Sequence, residues 1–297
     1  NVVAVWRGND PQSYQGQRED RPARDRISVL EDTNGDGIMD KKTVFYEGLE
    51  LVTSLVFFRD GVIVTQAPDV YWLRDTNNDG QADKKVLLYT GLGTMDTHAG
   101  ISNMRRSIDG WVYATLGYSA GNVKSADGSK DFGALSSGVV RFKPDGSAFE
   151  QVSSKGGNTW GLALAWAGEL FFTQATSGDH LNHVVLPENI LARGRVGSTA
   201  SFKPMQDHTR SFPLLSYQRQ AYVQIDVVGG FTAFAGSCLY TGGAWPAKYD
   251  GAHFAGEPTI NIVHQDLIRP AGPSYLATKE RQEEFIAGTD MWFRPIH

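Results

Sequence analysis

An internal echo constrains the fold of this chain more than any other feature. Residues 26–42 read RISVLEDTNGDGIMDKK, and residues 70–85 read VYWLRDTNNDGQADKK. The first aspartates of the two acidic turns, Asp32 and Asp75, are 43 residues apart. A four-stranded blade of a β-propeller repeats every ~40–45 residues. The spacing therefore predicts an all-β protein, a β-propeller built from four-stranded antiparallel blades.

The same strand order can be followed along the rest of the chain. Each unit begins with an apolar strand A, continues through a tight turn to strand B, and ends with strands C and D. Asp-Gly pairs at residues 60–61, 109–110 and 145–146 stand where hairpins need positive φ. Predicted A strands are Val52–Phe58, His98–Met104, Asn158–Ala165 and Ala233–Tyr240; predicted B strands are Val62–Gln66, Trp111–Tyr118, Glu169–Ala175 and Ala252–Glu257; predicted C strands are Ile27–Leu30, Tyr71–Arg74, Gly138–Phe142, Leu181–Leu186 and Ile260–Asp266. Five blades can be counted, and a sixth or seventh stays open because residues 187–231 are irregular.

The two ends of the chain complement each other in this scheme. The N-terminal run reads as a B strand, and Met291–His297 reads as an A strand. Pairing of the two would close the ring and remove a free sheet edge. We therefore predict a single propeller domain over residues 1–297, with two unrelated β domains as the alternative. Glu280–Ala287 is predicted to form a short helix.

Composition and charge exclude several functions. The net charge is −5 with scattered basic residues, so no basic face for nucleic acid is expected. The longest apolar stretch, residues 160–172, is too short to span a bilayer and contains Glu169. The lone Cys238 excludes an internal disulfide, a thiolate zinc cluster and a CxxCH haem attachment. Because the chain opens abruptly in the strand-like run Val2–Trp6, a removed leader is expected, and with it a periplasmic or otherwise exported protein.

The two acidic turns have the spacing of a cation-binding loop. They share the pattern D-x-N-x-D-G-x-x-D, with oxygen-bearing side chains at alternate positions, as in an EF-hand loop. The residues are Asp32, Asn34, Asp36 and Asp40 in the first turn and Asp75, Asn77, Asp79 and Asp83 in the second. The twelfth positions hold Thr43 and Val86 rather than Glu, so no EF-hand is predicted. Two interpretations stay open: structural calcium, as in the calcium hairpins of integrin-type propellers, or solvated turns without an ion.

A second group of polar residues is predicted to meet at one face of the ring. In a propeller, the starts of A strands and the ends of B strands converge on one mouth of the central channel. The residues so placed are His98 and Asn158 at A starts and Gln66, Gln174 and Glu257 at B ends. A histidine, a carboxylate and several amides suit a small polar ligand or a metal. The alternative for each residue is a hydrogen bond to a neighbouring blade.

His98 is the leading candidate for a catalytic group. It follows Asp96 in the sequence Asp-Thr-His, just before a predicted A strand. A neutral imidazole there could accept the proton of a substrate hydroxyl while Asp96 orients the ring. Glu257 is the rival base, and a structural histidine is the alternative. His180 and His183 are expected on opposite faces of a strand, so no metal site is predicted there, nor at His264.

These motifs together resemble a known family. The segments that carry the resemblance are the acidic turn, Val64–Asp69, Asp96–His98, Asp109–Tyr113, Trp245–Pro246 and Trp292–Pro295. They are similar to the membrane-bound dehydrogenase domain of planctomycetes and verrucomicrobia, a propeller often fused to haem c domains. The resemblance covers most of the chain. Members usually continue beyond the Phe-Arg-Pro element, which implies that this chain is a fragment or a processed subunit.

That domain in turn resembles the glucose/sorbosone dehydrogenases, six-bladed propellers that use pyrroloquinoline quinone (PQQ) and calcium. The resemblance implies that His98 is the catalytic base and that Asn158 binds the cofactor. Gln66 and Gln174, which the strand order places at the same mouth, are further candidate cofactor-binding residues. Gly157 stands where the family has an arginine. The implied function is an exported sugar or polyol dehydrogenase that passes electrons to a cytochrome c partner or a fused haem domain. The alternatives are a metal-dependent carbohydrate lyase or hydratase, and a non-catalytic binding or scaffold propeller.

Overall fold

The computed structural model describes residues 2–6, 24–175, 179–196, 199–215 and 229–296, with residues 2–6 as backbone alone. The parts of our predictions that fall on the remaining residues, including much of the irregular stretch before Phe231, lie outside the described residues. The strands are β1 Val2–Trp6, β2 Asp25–Glu31, β3 Lys41–Leu49, β4 Ser54–Phe58, β5 Gly61–Gln66, β6 Asp69–Arg74, β7 Lys84–Thr90, β8 Ile101–Arg106, β9 Val112–Leu116, β10 Asn122–Ser125, β11 Asp131–Ala134, β12 Gly138–Phe142, β13 Phe149–Ser154, β14 Thr159–Leu164, β15 Leu170–Gln174, β16 Leu181–Val184, β17 Phe202–Pro204, β18 Ala235–Leu239, β19 Ala252–Glu257, β20 Ile262–Ala271, β21 Ser274–Thr278 and β22 Ile286–Ala287. Helix α1 spans Glu188–Gly194, and a 3-10 turn spans Ala247–Tyr249.

The strands of the described residues form five antiparallel sheets. Their orders are β1-β2-β3, β11-β10-β7-β6-β5-β4, β13-β12-β9-β8, β14-β15-β16-β17 and β18-β19-β20-β21, with β22 paired to β20. Most connections join neighbours in sequence by short turns, as antiparallel sheets allow. The nearly all-β arrangement is consistent with the predicted propeller-like fold, while the number of blades and the closure of the ring stay predictions. No helix among the described residues is long and apolar enough to cross a membrane.

Two predicted elements near the C-terminus are wrong. Residues 280–285 form no helix, and Ile286–Ala287 instead pair with β20. Glu284 is drawn inward because its carboxylate accepts hydrogen bonds from the Lys279 ammonium and the Phe212 N–H. Residues 291–296 form no strand, because the Asn261 amide donates to the carbonyls of Met291 and Phe293 that a strand would pair.

The described chain divides into two compact units. The first comprises Asn1–Met104, Ser119–Leu135 and Phe142–Phe149. One buried cluster lies between its hairpins and is formed by Ile27, Leu49, Val52, Val62, Val64 and Leu73. Val62, Val64 and Leu73 come from strands in which alternate residues share a face, so the period-2 pattern of these strands produces the cluster directly.

The second unit comprises Arg105–Tyr118, Ser136–Arg141 and Glu150–His297. Its fourth and fifth sheets share a buried cluster of Ala163, Phe171, Leu181, Met205, Ile268 and Ala277. Met205 joins these sheets through its backbone, because its N–H donates to the Leu181 carbonyl and its carbonyl accepts from the Ala277 N–H. The residues that follow Met205 are thereby held beside both sheets.

An aromatic cluster gives the first unit a second core. The Tyr89 ring packs against Phe142 and Phe149 with centroids 5.5 and 5.2 Å away, and it has no exposed surface. Its hydroxyl lies 2.6 Å from the Lys143 carbonyl and 2.8 Å from the Ala148 carbonyl. The ring and the hydroxyl therefore both hold the turn between β12 and β13 onto β7.

We expect Tyr89→Phe to lower the free energy of unfolding by about 1 kcal/mol, because the turn loses its hydrogen bond to the Tyr89 hydroxyl while the Lys143 and Ala148 carbonyls keep their backbone donors. Phe142→Ala should cost more, about 3–5 kcal/mol, because it opens a cavity. Urea unfolding measures both values, with Tyr249→Phe as the control for loss of a hydroxyl. A larger loss in Tyr89→Phe than in Phe142→Ala would contradict this account of the cluster.

Candidate functional site

The loop that carries His98 is held by a serine from a later turn. Ser119 Oγ accepts a hydrogen bond from the Asp96 N–H and donates to the Asp96 carbonyl, both at 2.8 Å. The Ser119 N–H also donates to the Ala99 carbonyl. The backbone of residues 96–99 is thus fixed on both sides of the histidine.

His98 points away from the protein interior and contacts Asp96. Its Nδ1 lies 3.3 Å from Asp96 Oδ1, and its side chain is 74% exposed. The same carboxylate oxygen accepts the His98 N–H at 2.8 Å. A proton on Nδ1 would face Asp96 and leave Nε2 as the acceptor. The structure places the two side chains in contact, and their catalytic roles stay predictions.

A pocket in the first unit opens beside this pair. Its walls come from Leu51, Thr53, Ala67 and the loop 93–101, which includes Asp96 and His98. Thr53 is fixed there because its hydroxyl donates to the Ile101 carbonyl at 2.6 Å. Gln66 does not line the pocket although the next residue does; its Oε1 accepts the Glu50 N–H at 3.2 Å.

Asn158 and Gln174 lie together in the second unit. Gln174 is buried, and its amide donates to the Gly156 carbonyl at 3.0 Å and to Thr159 Oγ1 at 2.8 Å. The Asn158 carbonyl accepts the Ala175 N–H, whereas its buried Oδ1 accepts no hydrogen bond from the described residues. Gly157 has φ 76°, and a Cβ there would meet Gln174 Oε1 at 3.1 Å. This local geometry disfavours the arginine that the resembled family carries at that position.

Glu257 serves the backbone around it. Its carboxylate has no exposed surface and accepts the N–H groups of Thr232 and Ala233 at 2.9 Å. It also accepts the Thr259 N–H at 3.1 Å and the Thr259 hydroxyl at 2.6 Å. Burial raises the pKa of the Glu257 carboxyl, although these four donors favour the charged form. The carboxylate therefore holds the backbone at Thr232–Ala233 and at Thr259 in place, and its oxygens are not exposed to a substrate.

The predicted site residues are divided between the two units. His98 and Gln66 belong to the first unit, and Asn158, Gln174 and Glu257 belong to the second. Their shared mouth therefore stays a prediction.

We expect Glu257→Gln to reduce stability by about 1–3 kcal/mol, because an amide NH₂ would face backbone N–H groups that now have acceptors. Urea unfolding checks this, with the exposed Glu280→Gln as the matched control. Equal unfolding midpoints for the two variants would contradict the structural role.

The two acidic hairpins have the same internal hydrogen bonds. Asp32 accepts the Gly37 N–H and Asp75 accepts the Gly80 N–H, each at 2.8 Å. Asp40 and Asp83 each accept both the N–H and the hydroxyl of the threonine seven residues earlier. The N–H of Gly37 is the main cause of the lowered pKa of Asp32, and the Thr33 hydroxyl is the main cause of the lowered pKa of Asp40. Both loops are exposed and pre-arranged as anionic turns.

A buried histidine cluster is the feature that sequence reasoning missed. We use this name for His180, His208, His264 and Asp266 of the second unit. His264 and Asp266 are fully buried on β20, and His180 is 2% exposed just before β16. His208 follows Gln206, which pairs with Ala277 of β21. Three parts of the chain therefore bring three imidazoles and one carboxylate together.

Two other histidines of the second unit, His183 and His253, bond side chains outside this cluster. His183 bonds Ser274 Oγ at 3.0 Å and contacts the rings of Phe171 and Tyr275. His253, opposite Asp266 in the β19–β20 ladder, bonds Ser237 Oγ at 2.7 Å. Burial lowers the pKa of His253 to about 4, so it is neutral near pH 7. The usable sequence signal was His264-x-Asp266, since a spacing of two puts both side chains on one strand face.

Comparisons with known proteins agree with the fold. A glucose dehydrogenase structure shares 12% identity over 96% of this chain and 84% of that chain, with a TM-score of 0.50. The apo aldose sugar dehydrogenase of Escherichia coli shares 12% identity over 96% and 90% of the two chains, with a TM-score of 0.44. The PQQ-bound aldose sugar dehydrogenase of Streptomyces coelicolor shares 12% identity over 87% and 86%, with a TM-score of 0.33. The first of these likenesses shows a common fold.

The sequence comparisons give the family. None of the curated proteins compared with this chain matches it significantly. A family model described as a domain of unknown function, DUF7133, matches residues 9–297, which is nearly the whole chain. The chain therefore belongs to the DUF7133 family.

Proposed function

We propose that the protein is a sugar or polyol dehydrogenase-like oxidoreductase whose reacting hydroxyl binds in the pocket at His98. The observation that carries the proposal is the exposed His98 imidazole, 3.3 Å from Asp96 at the edge of that pocket. The fold shared with a glucose dehydrogenase supports the choice of reaction class.

The chemistry follows from the orientation of the imidazole. With the Nδ1 side of the ring facing Asp96, Nε2 accepts the proton of the substrate hydroxyl, and the hydride of the same carbon passes to a two-electron acceptor, a quinone other than PQQ, which is reduced to its hydroquinone. Thr53 and the backbone of the loop 93–101 supply the remaining polar groups of the pocket. Asp96 is a positioning residue in this scheme, and His98 is the catalytic residue.

The residues of this pocket do not fit PQQ. That quinone carries three carboxylates, which call for Lys or Arg partners. The residues that line the pocket include neither, and Asp96 adds a negative charge. We therefore derive no step through PQQ. In this scheme a different two-electron acceptor receives the hydride from the substrate. Its electrons then pass to a cytochrome c partner or to a fused haem domain of an exported protein.

We expect His98→Gln to lower the turnover number by about 10²–10⁴-fold, because the general base is lost. The assay is sugar- or polyol-dependent reduction of a soluble redox dye, run over a panel of aldoses and polyols. Met95→Leu, at an exposed side chain of the same loop, is the control and should keep full activity. Unchanged turnover in His98→Gln, or no sugar-dependent dye reduction by the folded wild type, would overturn the proposal.

We also propose that the acidic hairpins bind structural calcium, as their alternating oxygen ligands suggest. EGTA should then lower the melting temperature of the wild type, and added calcium should restore it. Asp32→Asn combined with Asp75→Asn should abolish this response. Asp127→Asn, in an acidic turn outside the hairpins, should retain it. A melting temperature that EGTA does not change would contradict calcium binding and show that the hairpins are turns without an ion.

A further inference from the structure

The histidine cluster has a geometry that hydrogen bonds between neutral imidazoles do not explain. His208 Nε2 and His264 Nε2 are 3.2 Å apart. His264 Nδ1 lies 2.8 Å from Glu284 Oε2, and His208 Nδ1 lies 2.7 Å from Asp207 Oδ1. Each carboxylate takes the Nδ1 proton of its histidine, which leaves both Nε2 atoms as lone pairs facing each other. A cation between them resolves that conflict.

The buried carboxylate of Asp266 also requires a cation nearby. Asp266 has no exposed surface, and neither of its oxygens has a hydrogen-bond partner of good geometry among the described residues. Its Oδ1 lies 3.4 Å from His264 Nε2 and 3.7 Å from His208 Nε2. An ionised carboxylate without water needs a compensating positive charge close by. The imidazole nitrogens surround it but supply no positive charge while they are neutral.

The distances match those of a tetrahedral metal centre. Four atoms at ~2.0–2.1 Å from one zinc ion are ~3.3–3.4 Å from each other. The three separations among His208 Nε2, His264 Nε2 and Asp266 Oδ1 are 3.2, 3.4 and 3.7 Å. A ring nitrogen of His180 is the fourth candidate ligand, because the ligand atoms of His180, His264 and Asp266 all lie within 4.8 Å of one another.

We propose that the histidine cluster binds one divalent transition-metal ion, for which zinc is the matching probe. Three imidazoles and one carboxylate suit zinc and its first-row neighbours, whereas calcium prefers an all-oxygen set. This site is independent of the dehydrogenase proposal, since its residues do not line the His98 pocket.

The surroundings are those of a metal site with supported ligands. Glu284 is itself held by the Lys279 ammonium at 3.0 Å and the Phe212 N–H at 2.8 Å, so it orients His264 firmly. Phe231 packs on His180 with ring centroids 4.2 Å apart and on His264 at 4.9 Å. Carboxylate–histidine pairs and an apolar wall fix ligand direction and exclude water.

The cluster also explains how the second unit is joined. His180 belongs to the end of the fourth sheet, and His264 and Asp266 belong to the fifth. His208 comes from the segment that bridges both through Met205. One bound ion would connect the two sheets at a point where they share no strand. The His208 side chain is 17% exposed and marks the entry path for the metal.

Zinc binding by the purified protein tests the proposal. The chain is stripped with dipicolinate and exchanged into buffer, and zinc alone is added. Metal content after gel filtration should be one equivalent per chain, and competition with a chromophoric chelator gives the affinity. Cobalt in place of zinc should give the intense visible absorption of a tetrahedral site.

Two variants and a control separate a metal site from a hydrogen-bonded network. Asp207→Asn, at a side chain that is 43% exposed, should keep the fold and weaken zinc binding by about 10–100-fold, since it releases His208. His208→Gln removes a ligand and should weaken it further. His183→Gln, outside the cluster, should bind like the wild type. A folded wild type that retains no zinc, or an Asp207→Asn variant with wild-type affinity, would overturn the proposal in favour of a proton shared by His264 and Asp266.

Discussion

A carboxylate without access to water must be neutralised, and in the second unit that requirement falls on Asp266. Burial alone would raise its pKa, but the interaction with His264 outweighs burial and lowers it. Burial likewise opposes a charge on His264, yet Asp266 and Glu284 raise the pKa of that imidazole. The two groups are therefore electrostatically coupled, and the bound ion that we propose would supply the positive charge that neutral imidazoles lack. The Asp266 carboxylate is surrounded by the sheets that carry these groups, by the segment after Met205 and by the ring of Phe231.

The two candidate sites differ in how the protein holds them. His98 is exposed on a loop whose backbone is fixed by Ser119, so its position is defined while its ring stays accessible. The histidine cluster is enclosed, and its ligands are fixed by carboxylates behind them. Accessibility suits a group that exchanges protons with substrate, and enclosure suits an ion that stays bound. We therefore propose two different roles for the same residue type in one chain.

The sequence predicted the strands well where local pattern decides them. Ala252–Glu257 and Gly138–Phe142 have the predicted bounds, because turns that contain Gly and Pro flank these strands. The strand predicted at the C-terminus was wrong for residues 291–296, because the amide of the distant Asn261 donates hydrogen bonds to the carbonyls of Met291 and Phe293. This is a tertiary contact that no local pattern encodes.

For the candidate sites as well, contacts between residues close in sequence could be predicted, and contacts made by packing of distant segments could not. The pairing of His98 with Asp96 could be predicted, since the two are separated by one residue. The histidine cluster could not, because His180 and His264 are brought together by the packing of two sheets. Glu257 was predicted as a site residue from its strand position, but its four donors come from turns whose conformation the sequence pattern does not specify.

X-ray absorption at the zinc edge of the zinc-loaded protein tests the central claim most directly, because it reports the ligands of the ion rather than its binding alone. Coordination by the histidine cluster predicts four nitrogen or oxygen neighbours at ~2.0–2.1 Å, with the outer-shell scattering of imidazole rings. Six oxygen neighbours without imidazole scattering would place the zinc on surface carboxylates and contradict the account.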